Sequence, residues 1–306
     1  MNPPRTTYQL YLRVHRGGTG VSFRAARDEF LTLAAPLKPR VIHESSARMR
    51  LQVVLREGSD DALSELAPLL GYTEAVFRRD VMPHSAVEPL GEPVGRFLVG
   101  RHRFGAEDHV FTPLYFADED ERLAASPHNR EFLYLEDGEP VTGQHRHVHR
   151  RLSPCDARLL LNLAGVREGL VVDPFAGIGG IALEAVRRGA RVLCGDIDAS
   201  LGPGLAGIAD WACIWDARCL PMRDGVADAV VTEPPYHRDL QRAACAAVPE
   251  MARILKPGRS LALMVTQEMA PEITRAFLLT ELRPTARYAI RRGAMHAAAL
   301  VYHRPE

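Results

Sequence analysis

The chain has 306 residues, 46% of them hydrophobic, which is enough for one large domain or two modest ones with substantial cores. Lys+Arg and Asp+Glu are equal at 38 each, so the chain is not globally basic and any nucleic-acid contact must come from a local patch. No run approaches the roughly 18 apolar residues of a membrane helix, and MNPPR at the start carries no signal-peptide core, so no membrane association is expected and the expected location is the cytoplasm. The five cysteines contain no C-x-x-C pair, which argues against a disulfide framework or a zinc knuckle and predicts buried thiols.

From the start, alternation predicts a strand over 8–14, and helical spacing predicts a helix over 23–34. A short strand near Val41, a strand over 48–55, a helix over 60–70 and a strand over 74–77 follow. This βαββαβ order suggests a ferredoxin-like α+β module, assigned to residues 1–81. The first 50 residues carry nine basic side chains against three acidic ones. That excess suits either a solvated face or a nucleic-acid surface, with Arg13, Arg16, Arg24, Arg27, Arg48 and Arg50 as expected contacts, together with Arg146 and Arg150 further on.

Pro83, Pro89 and Pro93 with Gly91 and Gly95 mark a linker, and residues 82–150 read as a connecting segment. Strands are expected over 96–104 and 131–135, around the acidic run 118–121. His145, His147 and His149 share one face of an extended chain, as a metal site would need. No carboxylate or cysteine stands beside them at ligand spacing, so the segment is read as a basic connection with Arg146 and Arg150, and no metal is expected.

Residues 151–306 alternate helix and strand. A helix over 156–163 precedes a strand over 170–172, then come a helix over 181–188 and strands over 191–195, 213–215 and 227–232. A helix over 240–255, a strand over 260–265, a helix over 271–280 and strands over 287–291 and 297–302 complete the chain. The pattern predicts a doubly wound, mostly parallel Rossmann-like α/β sheet.

Two stretches of that domain carry chemistry. VVDPFAGIGG (171–180) is a buried strand that runs into a glycine turn and a helix start, with Asp173, Phe175, Ala176, Gly177 and Gly179 at the turn. The next strand ends in Asp196 and Ile197. Gly177-x-Gly179-x-x-Ala182 with Asp196 fits a loose dinucleotide fingerprint, and a purely structural turn is a second reading. Asp173, however, would repel a pyrophosphate, whereas it could pair with an amino-acid ammonium. S-adenosylmethionine has that ammonium and a ribose, and is the expected cofactor. Further on, Glu233-Pro234-Pro235-Tyr236 follows the strand over 227–232. Two prolines remove amide donors and leave carbonyl and carboxylate acceptors beside an aromatic face, which is what a planar ring with an exocyclic amine requires. A proline-ended strand with a core tyrosine is the alternative.

DPFAGIGG, GDID, DA followed by LP, and EPPY, in that order, resemble the class I S-adenosylmethionine-dependent methyltransferases. With the lead-in HRRLSPCDARLLLNLAGV, the stretch 146–236 is similar to the THUMP-associated tRNA guanine exocyclic-amine methyltransferases. The resemblance implies that Asp173, Phe175, Gly177 and Gly179 cradle the methionine part of the cofactor. It places Asp196 and Ile197 at the ribose and adenine, Asp216 and Ala217 at the adenine edge, and Glu233 to Tyr236 at the acceptor base. Three departures stand out. Glu233 replaces the usual Asp or Asn, and a displacement of about an ångström is worth about a hundredfold in rate. The segment 198–213 is short and glycine-rich, which predicts a broken or missing helix, and the N-terminal part lacks room for a full THUMP domain. The implied function is methyl transfer to a guanine amine of structured RNA, with tRNA foremost. The alternatives are DNA or a small amine as acceptor, or a non-catalytic module that binds the cofactor or RNA.

Overall fold

The computed structural model of the chain describes residues 5–12, 15–16, 19–56, 59–66, 69–78, 135–136, 139–140, 152–292 and 295–306. The expected linker at 82–95, the strand over 96–104, the acidic run, the three histidines, and Arg13, Arg146 and Arg150 lie outside these residues, as does most of the strand expected over 131–135.

The N-terminal unit is built from β1 (Arg5–Leu12), α1 (Phe23–Leu33), β4 (Arg40–Ser45), β5 (Arg50–Arg56), α2 (Asp60–Leu66) and β6 (Thr73–Arg78). Alternation along β1 and β5 buries Tyr8, Leu10 and Leu12 with Leu51, Val53 and Leu55, so both strands turn one apolar face inward. The strands form an antiparallel sheet in the order β4-β5-β1-β6. Ser22 caps α1 by accepting from Ala25 N at 3.1 Å, and Ala26, Phe30 and Leu33 form the buried stripe of that helix. Of the strand expected over 8–14, residues 8–12 lie in β1, which begins earlier, at Arg5, and residues 13 and 14 lie outside the described residues. Two short strands that the alternation did not reveal, β2 (His15–Arg16) and β3 (Thr19–Val21), leave this sheet and join the C-terminal one.

Two-residue strands β7 (Leu135–Glu136) and β8 (Glu139–Pro140) pair with each other. The C-terminal unit then runs α3 (Pro154–Leu163), β9 (Leu170–Asp173), α4 (Gly180–Arg187), β10 (Arg191–Asp196), α5 (Gly202–Ala206) and β11 (Trp211–Ile214). It continues with β12 (Ala227–Thr232), α6 (Arg238–Ile254), β13 (Leu255–Thr266), α7 (Ala270–Phe277), β14 (Arg283–Arg292) and β15 (Met295–His303). The nine-stranded sheet has the order β11-β10-β9-β12-β13-β15-β14-β3-β2. Pairing is parallel from β11 to β13 and antiparallel beyond. Continuous apolar runs such as Val230 and Val231 suit strands covered on both faces. The strand order reverses between β9 and β12, and in such sheets a crevice opens there at the carboxyl ends of the strands. The glycine-rich segment after Asp198 does hold a helix, cut to the five residues of α5. β13 begins at Leu255, directly after α6, and carries Pro257 and Gly258 in its irregular first part, where the pairing register with β12 shifts.

One hydrophobic cluster joins both units, with Tyr8 and Phe30 in the same core as Leu159, Ile181 and Val301. The other lies under α6 and α7, where Phe277 stacks on Tyr302 with ring centroids 3.9 Å apart. Polar staples reinforce the first junction. Buried Glu29 of α1 accepts from Gly71 N at 2.7 Å, Tyr72 N at 2.9 Å and Asn162 Nδ2 of α3 at 2.8 Å. Gly71 passes so near α3 that a Cβ there would lie 2.3 Å from the Cys155 carbonyl oxygen. Of the cysteines, only Cys155 and Cys194 are buried, while Cys219 is exposed, and all five are free thiols.

Candidate active site

Asp173 ends β9 and Thr232 ends β12, the two strands that flank the switch point. The Thr232 hydroxyl donates to Asp173 Oδ1 at 2.6 Å, and Phe175 N donates to the same oxygen at 3.2 Å. Asp173 is 1% exposed, and among the described residues no cationic side chain pairs with it. Burial pushes its carboxyl up to about 7 against the hydrogen bonds from Thr232 and Phe175, and the charges of Asp196 and Glu233 add to the rise. A buried carboxylate in this state calls for a cation.

The glycine turn is held from the neighbouring strand. Gly177 N donates to Asp196 Oδ2 at 2.9 Å, Asp198 N to Asp196 Oδ1 at 3.1 Å, and Ala176 N to the Gly195 carbonyl at 3.0 Å. Gly177 and Gly179 adopt φ of 52° and 83°, left-handed values that favour glycine, and a Cβ at Gly177 would meet nothing within 4 Å. Open space therefore faces the turn. Ile197, the residue after Asp196, is 69% exposed, an apolar side chain left uncovered beside that space. These features fit S-adenosylmethionine: an unpaired buried carboxylate for the ammonium, an open glycine turn for close approach, and an acid plus an apolar side chain for the nucleoside.

Trp215 organises this corner although the motifs did not single it out. Its indole N–H donates to the Pro174 carbonyl at 3.1 Å, its backbone N–H donates to the Asp196 carbonyl at 3.1 Å, and its ring underlies Gly195. Ala217 is buried nearby in the second core. Asp216 is turned to Arg218, which donates through Nε and Nη2 at 2.9 and 2.6 Å, and these hydrogen bonds draw its carboxyl down to about 2.

The tetrad Glu233-Pro234-Pro235-Tyr236 follows β12 at the same sheet edge. Glu233 Oε1 accepts from Tyr236 Oη and, at 2.5 Å, from Arg292 Nη1, which also reaches Tyr236 Oη at 3.2 Å. Arg292 closes β14. Its Nε lies 3.6 Å from Asp156 Oδ2 in α3. Burial raises the Glu233 carboxyl, opposed chiefly by Arg292. Asp156 is itself fully buried and accepts from Ser153 Oγ at 2.9 Å and from Tyr72 Oη of the N-terminal unit at 2.6 Å. The motif gave no sign of Arg292, Asp156 or Tyr72, because each reaches the site from a distant element.

The strand order, with its reversal between β9 and β12, defines a doubly wound Rossmann-like fold, and acids stand at its adjacent strand ends. In sequence, part of the chain is similar to three tRNA methyltransferases. A tRNA (guanine(10)-N2)-dimethyltransferase of Methanothermobacter thermautotrophicus is 40% identical over 120 residues, 37% of this chain and 31% of that protein. The enzyme of the same name from Methanocaldococcus jannaschii is 35% identical over 98 residues, 27% of this chain and 28% of that protein. A tRNA (guanine(6)-N2)-methyltransferase of Thermus thermophilus is 38% identical over 104 residues, 30% of each chain. The matches thus span less than a third of each relative's own length. No family model matches the chain. Among solved structures, geranyl diphosphate C-methyltransferase from Streptomyces coelicolor A3(2) aligns with a TM-score of 0.43 and 16% identity, covering 55% of this chain and 84% of that one. A protein from Pyrococcus horikoshii OT3 aligns with a TM-score of 0.42 and 17% identity, covering 54% of this chain and 92% of that one.

Proposed function

We propose that the chain is an S-adenosylmethionine-dependent N-methyltransferase that acts on the exocyclic amine of a guanine in structured RNA, tRNA foremost. The observation that carries this reading is the placement of the Glu233–Tyr236 tetrad across the switch point from Asp173, so that acceptor-rich and cation-seeking groups share one sheet edge. The three tRNA relatives support guanine as the base. When bound, the cofactor supplies an electrophilic methyl group. Asp173 binds its ammonium, Gly177 and Gly179 admit it closely, Asp196 and Ile197 hold its nucleoside, and Ala217 closes the adenine edge. Glu233 and the Pro234 carbonyl accept the N–H groups of the amine and stabilise the positive charge that develops on nitrogen, while Pro235 fixes the turn and Tyr236 supplies the stacking face. No side chain needs to act as a strong base, because the proton can leave after methyl transfer. The reading puts the protein with tRNA in the cytoplasm. No described helix is long and apolar enough to cross a membrane.

Surface charge supports a different set of RNA contacts from the arginines first expected. Arg24 and Arg27 are paired with Asp28, and Arg27 also with Glu44. Arg50 lies over the Tyr11 ring, 4.9 Å from its centroid, and Arg48 is exposed. On β14, by contrast, Arg283, Arg287 and Arg291 are exposed and form no ion pair among the described residues; Arg287 and Arg291 share one face, and the register shift between Pro284 and Ala286 turns Arg283 to the other. We assign phosphate contact chiefly to these three. Methylation of tRNA transcripts by the purified chain, read by nucleoside mass spectrometry, tests the function, and transfer only to a small amine would replace RNA as the acceptor.

A further inference from the structure

Glutamate at the first tetrad position raises a geometric problem. Its carboxyl group stands one carbon–carbon bond, about 1.5 Å, further from the backbone than that of aspartate, and an amine acceptor must sit within hydrogen-bond reach. The structure shows what restrains it. Glu233 Oε1 takes two donors, Arg292 Nη1 and Tyr236 Oη, whereas Oε2 accepts none of the described hydrogen bonds. One oxygen is pinned and the other is left for a ligand. A carboxylate held in this way cannot swing forward without giving up a charge-assisted bond.

Arg292 is itself held from behind. β12 and β13 are parallel and β15 is antiparallel to both β13 and β14, so β14 runs in the same direction as β12 and delivers Arg292 to the tetrad's edge of the sheet. The guanidinium then lies between two carboxylates, Glu233 at 2.5 Å and Asp156 at 3.6 Å, with its side chain only 18% exposed. Asp156 cannot follow Arg292 forward, because Ser153 at the cap of α3 and Tyr72 of the N-terminal unit fix its two oxygens.

We propose that Arg292 is a positioning residue that fits a glutamate to this site, drawing Glu233 Oε1 back toward Asp156 so that Oε2 stands where the substrate amine must be met. The proposal rests on the amine-methylation reading and adds to it the reason why the longer acid is compatible with turnover. Arg292 also favours the ionised form of Glu233, which alone can accept from an N–H on either oxygen, against the effect of burial. Glu233, Asp156 and Tyr236 outweigh burial and hold the Arg292 guanidinium above its ordinary value, so it remains a cation throughout the working range.

The test is a double-variant cycle on the full chain: parent, Arg292→Met, Glu233→Asp, and the two together, in single-turnover methyl transfer to tRNA, with cofactor affinity measured in parallel. Arg292→Met should slow transfer at least tenfold with cofactor affinity within twofold of the parent. Glu233→Asp alone should also be slower, because the shorter acid is drawn too far back. The double variant should be faster than Arg292→Met alone, since an aspartate needs no retraction. The acid limb of the pH–rate profile should move upward in Arg292→Met and return part of the way in Arg292→Lys, which keeps the charge but loses the fork. Additive losses, or an unchanged acid limb in Arg292→Met, overturn the proposal while the methyltransferase reading stands. A parent inactive on RNA, DNA and small amines overturns that reading and the proposal with it. Should Arg292→Met fail to fold, the cycle is run with Arg292→Lys, where additivity with Glu233→Asp overturns the proposal in the same way.

Discussion

Thr232 donates its hydroxyl to Asp173 at 2.6 Å, which ties the end of β12 to the end of β9 across the point where the sheet reverses direction. Oδ1 is thereby fixed, while Oδ2, which accepts none of the described hydrogen bonds, is left for a cofactor ammonium. With the folded-state carboxyl raised to about 7, the sign of its pH dependence follows. The apo protein binds a proton here that the unfolded chain has released, so this group's contribution to apo stability is present at low pH and lost as pH rises through about 7.

Cofactor binding should run the other way. The ammonium needs the carboxylate, so affinity for S-adenosylmethionine should weaken by about tenfold per pH unit below about 7 and level off above it. Asp173→Asn should flatten this dependence and weaken binding by about ten- to a hundredfold, the worth of a hydrogen bond to a charged group. Thr232→Val should move the midpoint to higher pH. Calorimetric titrations from about one and a half pH units below the midpoint to one above it check all three.

Gly195 is a second point of sensitivity. A Cβ there would lie 2.4 Å from the Cys213 carbonyl oxygen and 2.7 Å from the Trp215 ring, both of which hold the corner beneath the glycine turn. Gly195→Ala should cost about 1–3 kcal/mol in stability, the usual range for overpacking, and should weaken cofactor binding, because Ala176 hydrogen-bonds to the Gly195 carbonyl. Thermal unfolding and cofactor titration of the same sample report both.

The two units should unfold together. Glu29→Gln replaces an acceptor of three hydrogen bonds with an amide whose NH2 group must face a donor. The cost should be about 1–3 kcal/mol for the unsatisfied buried group. Since one core spans both units, calorimetry should show a single transition moved downward. Two separate transitions in the parent would contradict this account of the junction.

The sequence made some of this legible and not the rest, for physical reasons. DPFAGIGG and EPPY announce their place because a glycine turn and a proline pair restrict the backbone locally, and the structure sets both at the carboxyl edge of the sheet. The α/β alternation of residues 151–306 is equally local. The hairpin of β2 and β3 escaped notice because strands of two and three residues are too short for alternation to register. Arg292 and Asp156 escaped for another reason: their meaning is a long-range pairing, 59 residues apart for Arg292 and Glu233, which no local pattern encodes. Among the N-terminal arginines, the pairing of Arg27 with Glu44, 17 residues away, forms only on folding, whereas Asp28 already stands beside Arg27 and four residues from Arg24 in the sequence.

RNA affinity should reflect the unpaired arginines instead. Replacing Arg283, Arg287 and Arg291 with glutamine should lower tRNA affinity and reduce the slope of log affinity against log salt by about two, if each releases most of one counterion. Cofactor affinity should not change. The same exchange at Arg24 and Arg27 should have the smaller effect. Filter binding over a salt series separates the two surfaces.

The most direct test of the central claim is the chemistry of the product. The purified chain is incubated with S-adenosylmethionine and a guanine-containing tRNA transcript, the RNA is digested to nucleosides, and these are identified by mass spectrometry beside the Asp173→Ala and Glu233→Ala variants. The account predicts N2-methylated guanosine from the parent and at least a tenfold loss in both variants, with cofactor binding lost only in Asp173→Ala. RNA without added methyl groups, a methyl group on any atom other than an exocyclic amine, or parent-like yields from Glu233→Ala would contradict it.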